Sequence, residues 1–344
     1  MDSATVASYD ILTTLGEGSY GKVHGGRHKL TGEKVALKVI GRDKGVRSIN
    51  REVDAMKLLS HPRLCQLYQV IETADSTVLA MEFCPGTSLQ DMINDTEDGL
   101  PEETAKKIFW QIASGLQYMH QRGVSHRDIK PSNVICDEKL SVKILDMGLS
   151  ATPLSGMKTL LTTFCGTTLY VPPEIVGKEP YQGWAADMWS LGVSLFYTIT
   201  KSYPFLGQKK IDTYKLIING NFTVPQSVSF SCRDVLESLL QYDPTSRLNA
   251  QELLQHPWFS GTANTTHHHD NIQVHHLDQK CLKEMAKLQK MPKSCVQEAV
   301  AKWQYDCNTA TYLLLKRRRD NTDPAPTKTS FFKRICCLSG SVSQ

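Results

Sequence analysis

One polar stretch, residues 126–133, constrains the fold and chemistry of this chain more than any other segment. It contains the carboxylate of Asp128, the ammonium of Lys130 and the amide of Asn133, and a second carboxylate follows at Asp146. Hard cations such as Mg²⁺ bind carboxylate and amide oxygens as ligands. The residue types therefore predict a metal site beside a reactive carboxylate, provided that the chain folds back between Asn133 and Asp146.

The segment between Asn133 and Asp146 has the pattern of a β-hairpin. Residues 134–136 and 142–145 are mostly apolar, and the polar turn 137–139 separates them. A hairpin brings its two ends together, so we expect Asn133 and Asp146 to bind one metal ion while the first carboxylate faces a substrate. This layout suits phosphoryl transfer, in which a metal clamps the nucleotide phosphates and a carboxylate orients the incoming hydroxyl.

A glycine-rich string, G-x-G-x-x-G-x-V, occupies residues 16–23. Glycines lack a Cβ and let backbone amides approach phosphate oxygens closely. A dinucleotide-binding fold uses a similar string, but a helix must follow it directly. Here residues 22–28 and 35–39 both have the pattern of strands. The strand–loop–strand order therefore argues against the dinucleotide-binding arrangement.

Together these segments resemble the motifs of protein kinases, in the order that the family uses. The resemblance covers residues 9–259 and implies an α+β fold with a small β-rich lobe and a large α-rich lobe. It implies that Asp128 is the catalytic base and that Lys130, in the position typical of Ser/Thr kinases, neutralises the transferring phosphoryl group. It also implies that Asn133 and Asp146 bind Mg²⁺.

The same resemblance assigns the nucleotide site to the small lobe. Lys38 is expected to reach the α- and β-phosphates of ATP, and Glu52, on an amphipathic helix predicted over 48–59, is expected to hold Lys38 there. Residues 82–84 resemble the hinge whose backbone binds adenine. The implied cofactor-binding residues are Leu15, Gly16, Glu17, Gly18, Ser19, Tyr20, Gly21, Lys22, Val23, Ala36, Lys38, Glu82 and Cys84.

The large lobe is predicted to be helical. Residues 102–121 carry an apolar stripe at helical spacing, and a nearly continuous apolar helix is expected from Asp187 to about Thr200. The resemblance also implies a structural ion pair between Glu174 and Arg247.

A regulatory position is implied by residues 161–166, which resemble the activation loop of AMP-activated-kinase relatives. In those kinases an upstream kinase phosphorylates the threonine before Phe-Cys-Gly, which here is Thr163. A phosphate there adds about two negative charges and can bond Arg127 beside the catalytic aspartate. Protein substrates and an upstream activating kinase are therefore the expected partners.

Two alternatives to an active kinase remain open. A catalytically silent pseudokinase would act as a scaffold, and Met147 in place of Phe and Pro172 in place of Ala keep that interpretation open. Family pseudokinases usually lack the strand lysine, the loop aspartate or the metal aspartate, and all three are present here as Lys38, Asp128 and Asp146. A ubiquitin-binding adaptor is the other alternative, and it depends on the C-terminal segment alone.

Composition argues against several other classes. The net charge of +4 arises from residues 316–344, which carry seven basic and two acidic side chains, so the rest of the chain lacks the basic surplus of a nucleic-acid-binding protein. No stretch is apolar for 18 residues and the N-terminus has no basic-then-apolar character, so we expect neither a membrane span nor a secretory signal. The 10 cysteines form no paired framework, which indicates a reducing compartment and a cytoplasmic protein.

The C-terminal region is predicted to form a small separate module. Residues 260–277 have the composition of a polar linker, and no cluster of cysteines or carboxylates with metal-ligand spacing accompanies its histidines. Residues 278–316 have the pattern of three short helices and resemble the ubiquitin-associated (UBA)-like domain of microtubule-affinity-regulating and sperm motility kinases. Ubiquitin binders usually have Met-Gly-Phe or Met-Gly-Tyr where this chain has residues 291–293, Met-Pro-Lys. This departure argues against ubiquitin binding and for a module that packs on the kinase domain.

Residues 317–344 have the composition of a disordered basic tail. Cys336 and Cys337 follow the basic pair Lys333 and Arg334. Lipidation together with attraction to anionic lipid is one interpretation, and a solvated basic tail is the other.

Overall fold

The computed structural model describes residues 5–18, 21–41, 46–152, 159–262 and 277–320. Ser19, Tyr20, the histidine-rich part of the linker and the tail with Cys336 and Cys337 lie outside these ranges. Within them, no helix is both long and apolar enough to cross a lipid bilayer.

The N-terminal part is a six-stranded antiparallel sheet with the strand order β1-β2-β3-β4-β6-β5. A smaller three-stranded sheet, β7-β8-β9, lies at the junction with the helical part. The strands are β1 Thr5–Val6, β2 Tyr9–Gly18, β3 Gly21–His28, β4 Lys34–Gly41, β5 Leu67–Glu72, β6 Ser76–Glu82, β7 Thr87–Ser88, β8 Val134–Cys136 and β9 Val142–Ile144.

Among the helices before residue 260, one packs beside the large sheet, and most of the others form the C-terminal lobe. The helices are α1 Val46–Leu58, α2 Leu89–Asn94, α3 Glu102–Gln121, α4 Pro173–Val176, α5 Gly183–Thr200, α6 Lys210–Asn219, α7 Phe230–Leu239, α8 Ala250–Leu254, α9 Gln279–Gln289, α10 Lys293–Ala301 and α11 Cys307–Asp320. The predicted α+β fold with a β-rich and an α-rich lobe is confirmed.

The central helix α5 is buried along nearly its whole length, which explains its almost continuous apolarity. It begins at Gly183, four residues before the predicted start at Asp187. A Cβ at Gly183 would lie 2.3 Å from the hydroxyl of Ser125, so only glycine permits this close approach. Helix α5 thereby packs directly against Ser125, which leads into residues 126–133, the catalytic loop.

The three C-terminal helices α9, α10 and α11 pack against the small lobe. They share one apolar cluster with the large sheet, and this cluster includes Tyr68 and Val78 from the sheet and Leu314 from α11. The prediction of a module that packs on the kinase domain is confirmed by these contacts. The prediction that disorder begins at residue 317 is wrong for residues 317–320, because α11 continues to Asp320 and Arg317 contacts the small lobe.

Candidate active site

The hairpin β8–β9 brings Asn133 and Asp146 close together. The backbone amide of Leu145 donates to the carbonyl of Asn133 at 2.8 Å, and the two strands pair antiparallel beyond that bond. Asp146 has a φ of 57°, a left-handed conformation that costs about 1 to 3 kcal/mol for a residue with a Cβ. The surrounding contacts offset this cost and keep the carboxylate facing the small lobe.

The buried carboxylate of Asp187, in α5, holds the backbone from which the catalytic loop projects. Its oxygens accept hydrogen bonds from the amides of His126 at 2.9 Å and Arg127 at 2.7 Å, and one of them lies 2.8 Å from Nε2 of His120. Arg127 has a φ of 66° and is likewise left-handed. Asp187 therefore fixes a strained turn directly before Asp128.

Asp128 lies within a network of three polar neighbours. The Lys130 ammonium is 2.7 Å from its Oδ2, and the Thr167 hydroxyl donates to its Oδ1 at 2.8 Å. The same hydroxyl accepts a hydrogen bond from Lys130 at 2.8 Å. The amide of Asn133 donates to the carbonyl and to Oδ2 of Asp128 at 2.8 and 3.2 Å. These contacts hold the carboxylate in one orientation.

Thr167 is a site residue that the sequence analysis missed. It lies in residues 149–174, the activation segment, 39 positions after Asp128. Only the folding of that segment brings its hydroxyl to the carboxylate. In the sequence nothing distinguishes it from the adjacent Thr168. The folded activation segment therefore places a hydroxyl of the chain between the carboxylate of Asp128 and the ammonium of Lys130.

In the small lobe, Lys38 bridges two carboxylates. Its ammonium lies 2.6 Å from Oε1 of Glu52 on α1 and 2.7 Å from Oδ1 of Asp146. Burial alone would lower the pKa of Lys38, but the two carboxylates raise it above its ordinary value. Burial would raise the pKa of Asp146, but Lys38 lowers it below its ordinary value. Both groups are therefore charged at neutral pH.

Asn133 and Asp146 fit a Mg²⁺ site that water and phosphates complete. The amide nitrogen of Asn133 is directed to Asp128, which leaves its Oδ1 as the atom able to bind a metal. Mg²⁺ usually takes one or two protein oxygens and fills its other positions with water and substrate phosphates. Across the described ranges, no cluster of three or more His, Cys, Asp or Glu side chains is arranged to hold a metal.

The glycine-rich string closes the hairpin of β2 and β3. Its described residues pair as Gly16 with Val23, Glu17 with Lys22 and Gly18 with Gly21. Gly21 has a φ of 143°, and a Cβ there would lie 2.1 Å from the carbonyl of Val39 on β4. The close packing of β3 on β4 thus requires glycine at this position. Of the other residues predicted to bind the cofactor, Leu15 is exposed and Ala36 is buried.

The hinge follows β6. The Glu82 side chain is buried and forms ion pairs with Lys143 at 2.7 Å and Arg317 at 3.0 Å. Both oxygens of its carboxylate are therefore paired within the protein. Backbone groups of the hinge are left to bind a nucleotide. The Cys84 thiol, also on the hinge, is only partly exposed.

In the activation segment, Thr163 is exposed and lies near Arg127. The Tyr181 hydroxyl donates to the carbonyl of Thr163 at 2.8 Å, and it accepts a hydrogen bond from the Arg127 guanidinium at 3.3 Å. Arg127 also donates to the carbonyl of Leu149 at 2.6 Å. Tyr181 was missed by the sequence analysis, because it is distant in sequence from both groups that it joins.

The predicted ion pair between Glu174 and Arg247 is confirmed. It is bidentate, with distances of 2.6 and 2.7 Å, and the guanidinium is fully buried. The guanidinium also lies over the ring of Trp189. This pair anchors the end of the activation segment to the large lobe.

The segment that follows the hinge carries an exposed carboxylate, that of Asp91. The Ser88 hydroxyl donates to Oδ2 of Asp91 at 2.6 Å, and the backbone amide of Asp91 donates to the same hydroxyl at 3.1 Å. Ser132, in the catalytic loop, is exposed. Asp91 was not identified from the sequence, where it is one of several acids in α2 and the loop after it.

Comparison with known families agrees with this geometry. A family model described as the protein kinase domain matches residues 9–259. A second model, described as the UBA domain of maternal embryonic leucine zipper kinase, matches residues 277–319. The second match extends into the last turns of α11, beyond the boundary predicted at residue 316.

Curated proteins that resemble the chain carry the same two regions. Maternal embryonic leucine zipper kinase of Danio rerio is 39% identical over 326 residues, which are 94% of this chain and 48% of that protein. SNF-related serine/threonine-protein kinase of Rattus norvegicus is 38% identical over 331 residues, 92% of this chain and 44% of the relative. Sperm motility kinase Z of Mus musculus is 36% identical over 308 residues, 90% of this chain and 61% of the relative. The chain spans about half the length of the first of these relatives.

Proposed function

Because the chain belongs to the protein kinase family, we propose that it transfers the γ-phosphate of ATP to Ser and Thr hydroxyls of protein substrates. The observation that carries this proposal is the network of Asp128, Lys130 and Thr167. The Thr167 hydroxyl lies 2.8 Å from the carboxylate and 2.8 Å from the ammonium. A substrate hydroxyl needs the same two partners, a proton acceptor and a cation that neutralises the transferring phosphoryl group.

Each of the site's side chains has a role in this reaction. Asp128 orients the acceptor hydroxyl and accepts its proton, and Lys130 stabilises the charge on the phosphoryl oxygens. Lys38, held by Glu52, binds the nucleotide phosphates. Asn133 and Asp146 would hold Mg²⁺, which would neutralise charge on the phosphates.

Two observations favour an active enzyme over a pseudokinase scaffold. Met147, which replaces the usual Phe, is buried and accepts a hydrogen bond from Ser150 at 3.4 Å. Pro172, which replaces the usual Ala, occupies the N-cap position of α4, two residues before Glu174, whose ion pair is intact. Neither substitution removes a charged group from the site.

The test is incorporation of phosphate from ATP and Mg²⁺ into a generic protein substrate, with Asp128→Asn as the control. The proposal predicts transfer by the natural chain and its loss in the variant. Incorporation that is absent in both, while the substrate binds, would favour the scaffold. Equal incorporation in both would exclude the assigned base.

We propose further that phosphorylation of Thr163 by an upstream kinase activates the enzyme. The exposure of Thr163 and the position of Arg127 near it support this proposal. A phosphate at an arginine cluster orders a loop through charge-assisted hydrogen bonds.

For localisation, we propose the cytoplasm, on the basis of a cysteine pattern without paired spacing. If the tail is instead a lipid anchor, Cys336→Ser with Cys337→Ser should move the protein from membranes to the cytosol in fractionated cells. A natural protein that is wholly in the cytosolic fraction supports the solvated tail.

A further inference from the structure

One side chain of α11 connects the C-terminal module to the hinge. The Arg317 guanidinium donates to the hydroxyl of Tyr68 at 2.9 Å and to the carbonyl of Phe83 at 3.4 Å. It also lies 3.0 Å from Oε1 of Glu82. These partners belong to β5, to the hinge and to the end of β6. A single guanidinium therefore joins three points around the backbone to which adenine is proposed to bind.

The other oxygen of Glu82 connects the hinge to the large lobe. Oε2 lies 2.7 Å from the ammonium of Lys143 on β9 and accepts a hydrogen bond from the amide of Gln66 at 3.2 Å. The carboxylate is 5% exposed, so these partners replace the water that it lost on folding. Removal of one cation leaves a buried charge that is incompletely compensated.

The arginine itself remains charged in this position. Burial alone would lower its pKa, but Tyr68 and Glu82 raise the pKa of Arg317 above its ordinary value. The planar guanidinium presents several donors in a fixed geometry, which a lysine ammonium does not reproduce. The arrangement on the hinge is therefore specific for arginine.

We propose that Arg317 is a positioning residue that sets the affinity for ATP by holding the hinge in its adenine-binding conformation. This inference rests on the proposed function. A hinge that is already ordered binds a nucleotide without a further ordering cost, whereas a hinge that samples other conformations binds more weakly in proportion to its competent fraction.

The two arginines that follow provide matched comparisons. Arg318 pairs with Glu284 inside the module and lies 3.9 Å from Glu33 in the small lobe. Arg319 lies 3.9 Å from Asp278, also inside the module. Arg319→Ala therefore removes the same charge from the same helix without changing the contacts of the hinge.

The experiment is calorimetric titration of ATP and Mg²⁺ into the full chain, with steady-state kinetics on a generic substrate. Arg317→Ala is expected to weaken ATP binding and raise KM for ATP by about tenfold, within the usual range of coupling between sites. The kcat should stay within about twofold of the natural value, because Asp128 and Asp146 are untouched. Arg317→Lys should recover part of the affinity, and Arg319→Ala should match the natural chain.

Two outcomes overturn the inference: a folded Arg317→Ala that binds ATP as tightly as the natural chain, or an equal loss in Arg319→Ala. If Arg317→Ala does not fold, Tyr68→Phe removes one contact of the guanidinium and should weaken ATP binding by about two- to threefold. Unchanged affinity in that variant overturns the inference as well. A natural chain that does not bind ATP refutes the proposed function itself, whereas a natural chain that binds ATP with unaffected variants refutes only the role of Arg317.

Discussion

Among single residues, Asp146 joins the two halves of the site. Its carboxylate contacts Lys38 at 2.7 Å and is one of the two groups proposed to bind Mg²⁺. Asp146→Asn removes the negative charge but keeps the size of the side chain. We expect turnover to fall by about three orders of magnitude, with little change in melting temperature, because the loss is electrostatic. Phosphate incorporation and thermal unfolding measure the two effects, and the exposed Asp75→Asn serves as control. Activity at the natural level in Asp146→Asn would contradict the metal assignment.

Thr163 and Thr162 are adjacent and both exposed, so they form a matched pair for the switch. After treatment with an activating kinase, Thr162→Ala should gain activity by at least about tenfold, whereas Thr163→Ala should remain at its basal level. The reason is that only Thr163 has its backbone carbonyl tied through Tyr181 to Arg127. Activity assays with and without the upstream kinase measure this difference. Equal activation of both variants would remove Thr163 from the mechanism.

His28 makes stability depend on pH. Its ring is fully buried, contacts Thr31 through Nδ1 at 3.0 Å and lies 5.1 Å from the ring of Tyr9. Burial lowers the pKa of His28 to about 4 from the ordinary 6.5. As the pH falls, His28 therefore binds a proton in the unfolded chain before it does so in the folded chain. The stability that the buried neutral ring contributes is complete above pH 6.5 and is lost toward pH 4. Denaturant unfolding should show a loss of about 2 kcal/mol between pH 7 and pH 5 from this residue. His28→Asn should flatten that part of the profile, and an unchanged profile would show that other groups cause it.

At the scale of elements, the start of α2 and the loop of residues 126–133 carry the two positions that bear on substrate choice, Ser88 and Ser132. Many related kinases read an arginine before the acceptor with glutamates at the positions of Ser88 and Ser132. A serine hydroxyl accepts a hydrogen bond from guanidinium but lacks the charge-assisted part, which roughly doubles the strength of such a bond. Asp91, hydrogen-bonded to Ser88, is the exposed carboxylate next to the first of these positions. We therefore expect weak selection for basic residues and greater dependence on docking elsewhere.

A positional-scanning peptide library measures this preference. The natural chain should show modest enrichment of arginine three positions before the acceptor, and Asp91→Asn should reduce it further. Glu179→Gln, an exposed carboxylate beyond α4, tests whether an acid elsewhere in the large lobe contributes. Enrichment as strong as in kinases that keep both glutamates would contradict the hypothesis.

At the scale of the whole molecule, the C-terminal module and the small lobe share a core. Besides the common apolar cluster, the Tyr305 hydroxyl donates to the carbonyl of Lys57 at the end of α1, and the amide of Val70 on β5 donates to the carbonyl of Tyr305 at 2.9 Å. The helix that carries Glu52 is thus in direct contact with the module. The two regions should unfold together as one cooperative unit.

Leucines of the module provide the test. Leu314 is 1% exposed within the shared cluster, whereas Leu288 is 37% exposed. Leu314→Ala should reduce the free energy of unfolding by about 2 to 5 kcal/mol and lower the melting temperature of the kinase domain with that of the module. Leu288→Ala should cost less than about 1 kcal/mol, because it leaves no large cavity. Calorimetry of the full chain measures both. Two separate transitions, with only one shifted by Leu314→Ala, would show that the module folds independently.

The features that could be predicted from the sequence are local. Helix α3 has the predicted bounds of 102–121, and the hairpin that brings Asn133 to Asp146 follows the predicted alternation of strand and turn. Such features depend on neighbours a few residues apart, so periodicity and turn residues encode them directly. The family's motifs are equally local strings, which is why the two-lobed fold could be predicted before any contact was known.

Which distant groups come into contact depends on the folded structure. Three contacts join segments that are far apart in the chain. They are the contact of Thr167 with Asp128, the link through Tyr181 between Thr163 and Arg127, and the contact of Arg317 with the hinge. Neither composition nor spacing distinguishes these side chains from their neighbours. The predicted end of the third C-terminal helix was wrong for the same reason. Residues 317–319 have the charge of a solvated tail. The buried carboxylate of the hinge that pairs with Arg317 is more than 200 residues away in the chain. A long-range partner of this kind becomes visible only when packing has placed it, because burial, and not sequence distance, sets the energy of the pair.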